Sequence, residues 1–185
     1  MPVIISMLRG VNVGGHNKIK MDELRALYES LKFESVETHI QSGNVIFRTK
    51  EKNIAALTMR IQDGIEKKFG FRPGVILRTT AELRDAIVRN PFAKRCGLDP
   101  SRLLVTFLAA EPSAEAIAKL LKLDMAPDEV RIDGRELYAY YPNGLARPKV
   151  PWSRIERTLK VFGTGRNWNS VIKLLEIVEK LEGLK

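Results

Sequence analysis

The fold of this chain is decided by the segment Ser35-Val36-Glu37-Thr38-His39-Ile40-Gln41-Ser42-Gly43-Asn44-Val45-Ile46-Phe47. β-Branched residues alternate with polar residues along positions 35–41, which is the pattern of a half-buried strand. Ser42-Gly43 then indicates a tight turn, and Val45-Ile46-Phe47 indicates a return strand. The segment therefore predicts an antiparallel hairpin.

A strand and a helix are predicted on each side of this hairpin. Val3–Arg9 is almost wholly apolar, as a central strand would be, and Val75-Ile76-Leu77 forms a short strand downstream. The apolar residues at helical spacing are Leu24, Leu27, Tyr28 and Leu31 before the hairpin, and Ile54, Leu57, Ile61 and Ile65 after it. The resulting order, βαββαβ, is that of the ferredoxin-like split unit.

The second half of the chain predicts a similar but incomplete order. A helix begins near Thr79, which has capping-box spacing to Glu82, and it should end at Asn90-Pro91. The remaining predicted elements are a strand at Leu103–Leu108, a helix at Ala114–Leu121, a hairpin around Asp133-Gly134, a helix at Trp152–Phe162 and a last helix through Val171–Leu181. This order echoes βαββα, with a helical ending in place of a fourth strand.

These elements predict an α+β fold with two ferredoxin-like (alpha-beta plait) subdomains packed together and an extra C-terminal helix. We place the first subdomain at residues 1–79 and the second at residues 80–185. The apolar run Val3–Leu8 is too short to span a membrane. The single cysteine, Cys96, fits a reducing compartment, and two histidines are too few for a recognisable metal site. We therefore expect a cytoplasmic protein with no metal and no membrane partner.

The formal net charge of +9 is concentrated in two segments. Residues 1–20 carry a charge of +3 and no acid, and residues 142–173 carry +6. Such segregation is expected where a protein meets phosphate or another polyanion. The alternative interpretation is a solvated basic surface that only aids solubility.

Two glycine-bearing polar loops should meet at one end of the first sheet. In a ferredoxin-like sheet, the loop after the first strand and the turn of the hairpin lie at the same end. The candidate ligand-binding residues there are Arg9, Asn12, Gly14, Gly15, Lys18, Gln41, Ser42, Gly43 and Asn44. The structural alternative is that these glycines only permit tight turns. Neither GxGxxG nor GxxxxGK[ST] is present, so binding by a standard nucleotide loop is not predicted.

A second candidate cluster precedes the last helix. Asn167 or Asn169 can cap that helix, Arg166 supplies charge, and Trp168 is either a stacking surface or a core anchor. Arg147 and Lys149 can add to the same basic patch. No catalytic residue is assigned, because neither histidine has a matched Ser or Asp nearby in the sequence. Any cofactor is unknown at this point.

Several of these motifs resemble the bacterial domain of unknown function 1697 family. The matching segments are Leu8–Gly15, Lys18–Met21, Gln41–Val45, Asn90–Phe92 and Gly165–Val171. Pro148 stands where the family more often has a serine before the lysine, which puts a role for that hydroxyl in doubt. The resemblance implies two ferredoxin-like subdomains and implies no activity.

Three functions remain open at this point. The first is a binding module for nucleic acid or another polyanion, favoured by the segregated charge and the plait-like halves. The second is a small-ligand-binding protein or enzyme that acts on an anionic or phosphorylated compound at the glycine-rich end. The third is a protein that binds a protein partner or has a structural role. The oligomeric state is open as well.

Overall fold

The computed structural model describes residues 1–183 and shows two compact units. Unit 1 comprises Met1–Arg84 together with the chain from Lys173 onward, and unit 2 comprises Asp85–Ile172. Each unit contains one four-stranded antiparallel sheet with helices, so the predicted α+β fold with two ferredoxin-like plaits is confirmed. The units differ from the predicted subdomains in that the end of the chain returns to the first one.

Unit 1 has the predicted order βαββαβ. Its elements are β1 (Val3–Leu8), α1 (Met21–Ser30), β2 (Glu34–His39), β3 (Asn44–Arg48), α2 (Ile54–Phe69) and β4 (Val75–Thr79). The strands lie in the order β2-β3-β1-β4. Ile40 was expected to continue the alternation of the second strand, but it lies in the turn and is 49% exposed.

The core of unit 1 lies between its sheet and its two helices. Successive side chains of a strand point to opposite faces, so Ile4 and Leu8 share a face of β1 and pack in the same core cluster as Leu24 and Leu57. Tyr28 of α1 is fully buried there, and its hydroxyl lies 2.8 Å from Ser6 Oγ. All six residues of β1 are buried, which explains the continuous apolar run of this strand.

Unit 2 repeats this topology with the strand order β6-β7-β5-β8. From the end of unit 1 onward, the elements are α3 (Thr80–Val88), β5 (Leu103–Leu108), α4 (Ala114–Leu121), β6 (Glu129–Asp133), β7 (Glu136–Tyr140), α5 (Trp152–Leu159), β8 (Gly163–Asn167) and α6 (Trp168–Glu182), with a 3-10 turn at Pro100–Arg102. The predicted helix at Ala114–Leu121 and the hairpin around Asp133-Gly134 are confirmed. α5 ends at Leu159, three residues before the predicted end at Phe162.

The predicted last helix is confirmed as α6, but the second half also has a fourth strand that the sequence pattern does not predict, since β8 lies beside β5. A Cβ added at Gly163 would lie 2.9 Å from Phe107 O and 2.9 Å from Leu108 Cδ2. The close approach of β8 to β5 therefore depends on glycine. The strand has the sequence GTGRN, which carries no apolar side chain that a periodicity argument could detect.

Two sets of polar contacts within unit 1 involve the start of α3 and the end of α6. Thr79 and Glu82 form the predicted capping box, with Thr79 N donating to Glu82 Oε2 at 2.7 Å and Glu82 N donating to Thr79 Oγ1 at 3.3 Å. Near the end of α6, Glu182 accepts a hydrogen bond from Thr80 Oγ1 at 2.7 Å and pairs with Arg84 at 3.2 Å. These contacts hold the end of α6 in unit 1.

Candidate functional site

The connection from β1 to α1, residues Arg9–Lys20, is the first component of the candidate site, and we call it the N-terminal loop. Its tip is a four-residue turn in which His16 N donates to Val13 O at 3.0 Å. The two central residues, Gly14 and Gly15, have φ values of 58° and 80°. A turn with positive φ at both central positions strongly favours glycine. The structural explanation therefore accounts for these two glycines.

Asn12 ties the N-terminal loop to the hairpin turn of residues Ile40–Gly43. Its Nδ2 donates to Ile19 O at 3.0 Å and to Gln41 O at 2.8 Å, and its Oδ1 accepts from Ile19 N at 2.9 Å. Its φ is 57°, a left-handed conformation that asparagine tolerates better than most residues. The predicted meeting of the two loops is thus present, and the side chain of Asn12 holds them together.

Two buried residues, Gly43 and the adjacent Asn44, shape the hairpin turn. Leu8 N donates to Gly43 O at 2.9 Å, and a Cβ at Gly43 would lie 2.9 Å from Leu8 Cβ. The side chain of Asn44 is fully buried, and its Nδ2 donates to His39 O at 3.2 Å and to Ser42 Oγ at 2.9 Å. Gly43 and Asn44 therefore shape the turn, whereas the neighbouring Gln41 is exposed.

A cleft of about 880 Å³ lies between the N-terminal loop, the hairpin turn and the start of α1. Its lining residues are Asn12, Gly15, Lys18, Ile19, Lys20, Met21, Asp22, Glu23 and Gln41. Lys18 and Lys20 are exposed, and the first turn of α1 has no side-chain cap. Asp22 and Glu23 in that turn complement the helix dipole and place two carboxylates beside the two lysines. The cleft therefore carries both signs of charge.

Five lining residues were not among the predicted site residues: Ile19, Lys20, Met21, Asp22 and Glu23. A signal for the two acids is present in the sequence, because they follow Lys20 almost directly. The first basic segment, residues 1–20, ends just before these two acids. Arg9, which was predicted to face this space, is half-buried and does not line the cleft.

The loop before β4, residues 70–74, also reaches this end of unit 1. Arg9 N donates to Gly74 O at 2.8 Å. The cation of this loop, Arg72, pairs instead with Asp63 at 2.6 Å and with Glu66 at 2.8 Å. The hydrogen bond to Asp63, followed by that to Glu66, raises the pKa of Arg72. This arginine is engaged with α2 and is not a free cation.

In unit 2, the predicted residues around Arg166 lie at the end of β8 and the start of α6. Arg166 is only 5% exposed, and its Nη1 donates to Thr164 Oγ1 at 2.7 Å and to Gly165 O at 2.9 Å. Burial lowers the pKa of this guanidinium to about 10. Asn167 Oδ1 accepts from Asn169 N at 3.0 Å, so Asn167 caps the helix as predicted, and Trp168 is half-buried. The cluster has little surface for a ligand.

The other two predicted residues of unit 2 lie in the loop before α5. Lys149 Nζ lies 2.5 Å from Asp124 Oδ2, and Lys149 N donates to Asp128 Oδ2 at 2.8 Å. The hydrogen bond from Lys149 lowers the pKa of Asp124. Arg147 is exposed and makes no ion pair within residues 1–183. Lys149 therefore anchors its loop, whereas Arg147 is available to a ligand.

The sheets provide no open platform for RNA. RNA-recognition sheets stack bases on exposed aromatic side chains. Here Phe47 of β3 and Tyr138 of β7 are fully buried, and every residue of β7 is buried. No group of three or more His, Cys, Asp or Glu within the described part of the chain is placed to hold a metal ion. None of the helices in residues 1–183 is long and apolar enough to cross a bilayer.

The fold and the cleft define an α+β protein of two plaits, with enlarged loops on the first. The chain belongs to the family described as "Protein of unknown function (DUF1697)", whose model matches residues 1–138. Its structure is similar to that of the conserved bacterial protein SP0830 from Streptococcus pneumoniae, with a TM-score of 0.73 and 21% sequence identity over 96% of this chain and 98% of the other. That likeness shows the fold. No curated protein matches the chain.

Proposed function

We propose that this protein binds a small compound carrying a phosphate or a carboxylate in the cleft of unit 1. The observation that supports this most strongly is the length of the loops around the cleft. Unit 2 has the same topology, so it shows how long these loops must be for the fold alone.

Both loops of the cleft are longer than their counterparts in unit 2. The connection from β1 to α1 spans residues 9–20, whereas that from β5 to α4 spans only residues 109–113. The hairpin turn spans residues 40–43, against 134–135 in unit 2. Strand-to-helix loops usually have about two to six residues, and longer ones are commonly functional. Since the plait does not need the additional residues, they support a binding role.

The chemistry of the cleft favours a small anion over a long one. Lys18 and Lys20 are exposed, and the backbone N–H groups at the start of α1 have no side-chain cap. Such N–H groups are natural partners for an anionic group. A polyanion lying across the cleft would bring further phosphates against Asp22 and Glu23, and like charges would repel it. A compound with one compact anionic group avoids that contact.

The lining residues of the cleft favour binding rather than a particular reaction. They include two lysines, two carboxylates and two side-chain amides, but no Ser, Cys or His among the described lining residues. Nucleophilic catalysis by one of these three residue types is therefore not supported. Met21 and Ile19 add an apolar wall, on which the uncharged part of a ligand can rest.

The test is a thermal-shift screen of phosphorylated and carboxylated metabolites, with inorganic phosphate and pyrophosphate as reference anions. A ligand at one hundred times its Kd should stabilise the protein by about 2.7 kcal/mol. Lys18→Ala and Gln41→Ala should abolish the shift. Lys52→Ala, which removes an exposed lysine outside the cleft, should leave it unchanged. The proposal is wrong if no compound shifts the melting temperature, or if Lys52→Ala removes the shift as fully as Lys18→Ala.

A further inference from the structure

Helix α5 of unit 2 has one apolar face and one basic face. Ile155 and Leu159 are buried in the core of the unit. Arg154 and Arg157, three residues apart, lie on the opposite side of the helix and are exposed. Lys160 follows directly as the exposed C-cap residue. Every charged residue on the exposed side of α5 is therefore a cation.

The arginines of this face have no acidic partner within residues 1–183. Arg154 and Arg157 make no ion pair with any side chain of residues 1–183. Glu156, the acid of the same helix, is only half-buried as a residue, yet its Oε2 is buried. One oxygen of this carboxylate is therefore turned away from solvent.

The neighbouring helix extends the basic surface. α4 packs against α5, and its exposed cations are Lys119 and Lys122. Lys119 pairs with Glu115 at 2.6 Å, and that hydrogen bond, with a smaller effect of Lys160, lowers the pKa of Glu115. Counting the cap residues, the two helices carry five cations and two acids: Lys119, Lys122, Arg154, Arg157 and Lys160 against Glu115 and Glu156.

Unit 1 provides the comparison, because α1 and α2 occupy the same places in its topology. With their caps, these helices carry five cations and five acids. Arg25 pairs with Glu29 at 3.1 Å on α1. A plait therefore forms equally well with a neutral helix layer, so the excess of cations in unit 2 is not required by the fold.

We infer that the helix layer formed by α4 and α5 binds the phosphate backbone of a nucleic acid. Arginine binds phosphate through two parallel hydrogen bonds, which fits Arg154 and Arg157 as the central contacts. A lipid surface is a poorer partner, because an interfacial helix inserts its apolar face, and the apolar face of α5 lies in the core. None of the exposed residues of α4 and α5 is aromatic, so this surface offers no ring on which a base could stack. Binding through phosphates alone is independent of the base sequence.

The test is the salt dependence of binding to a fluorescently labelled DNA duplex, measured by anisotropy with the full chain. Three phosphate contacts give a slope of about −2.7 in log K against log salt, so affinity should fall about 40-fold between about 50 and 200 mM salt. The double variant Arg154→Ala/Arg157→Ala should reduce the slope to about −1. A single-stranded RNA probe of the same length reports whether the surface prefers one form.

The matched control is the double variant Arg25→Ala/Lys67→Ala, which removes two exposed cations from the helix layer of unit 1. It should retain the original slope. Circular dichroism confirms that both variants keep their folds, as expected for exposed positions. The inference is overturned if nothing binds at low salt, if both double variants weaken binding equally, or if vesicles of anionic lipid bind while both nucleic acids do not. Each outcome leaves the cleft proposal standing, because that proposal concerns residues of unit 1.

Discussion

Replacing Asn12 by alanine should loosen the cleft by separating the N-terminal loop from the hairpin turn. The substitution removes three hydrogen bonds, to Ile19 O, Gln41 O and Ile19 N. Each is worth about 0.5–1.5 kcal/mol. Alanine also fits the φ of 57° less well than asparagine does, which adds about 1 kcal/mol. We expect Asn12→Ala to lower the free energy of unfolding by about 2.5–5.5 kcal/mol.

Asn17 supplies the control, since it has the same side chain and a φ of 50° in the same loop. Its side chain makes a single hydrogen bond, from Nδ2 to Gly10 O at 3.1 Å. Asn17→Ala should therefore cost about 1–3 kcal/mol less than Asn12→Ala, and Asn12→Gly should recover about 1 kcal/mol of the loss.

Urea denaturation followed by far-ultraviolet circular dichroism is the suitable assay. Fluorescence would report on unit 2, because both tryptophans, Trp152 and Trp168, lie there. In the thermal-shift screen, Asn12→Ala should also lose the ligand-induced stabilisation. Equal losses in the Asn12→Ala and Asn17→Ala variants would refute the reasoning, since the tie between the loops would then contribute nothing.

Three further predictions follow from local geometry. Ile40 has a φ of 51° and is 49% exposed, so Ile40→Asn should stabilise the protein by about 1 kcal/mol, and a loss of stability in urea would contradict this. Gly163→Ala should cost about 1–3 kcal/mol, and Gly165→Ala less, because a Cβ at 163 meets backbone at 2.9 Å whereas one at 165 meets only the side chain of Leu104. Burial, and secondarily the charge of Lys173, lowers the pKa of His39. The stability that comes from its neutral form is therefore complete above pH 6.5 and is lost as the pH drops through the pKa of the folded state. Lys173→Met should raise the pKa of His39 in an NMR titration.

The architecture of unit 1 was predictable because its sequence carries clear periodicities. Period-two alternation located the first hairpin, and the spacing of apolar residues located both helices. The meeting of the two polar loops followed from topology alone. The role of Asn12 could not be predicted in this way. Its three hydrogen bonds depend on a left-handed backbone, and a single asparagine in the sequence does not indicate that conformation.

Strand β8 shows why the second half was harder to predict. Periodicity arguments detect apolar side chains, and this strand has none. Its position depends on the absence of side chains at Gly163 and Gly165, which allows it to approach β5 closely. The sequence pattern instead predicts only a polar cluster before the last helix at these positions. A strand that is identified by its small residues rather than by apolar ones cannot be predicted from its own sequence until the partner strand is known.

The number of cations in a sequence segment differs from the number that the folded protein exposes on its surface. This difference explains why the two basic segments are proposed to bind different ligands. Of the seven cations in residues 142–173, three are accounted for by other contacts: Lys149 pairs with Asp124, Lys173 pairs with Glu176, and Arg166 is buried. The four that remain are exposed and lie in the loop before α5, on that helix or at its C-cap, where they form an open surface with few acids. The lysines of the N-terminal loop lie instead in a cleft beside two carboxylates. An open basic surface suits a long polyanion, and a cleft of mixed charge suits a small one, so the two basic segments are expected to bind different partners.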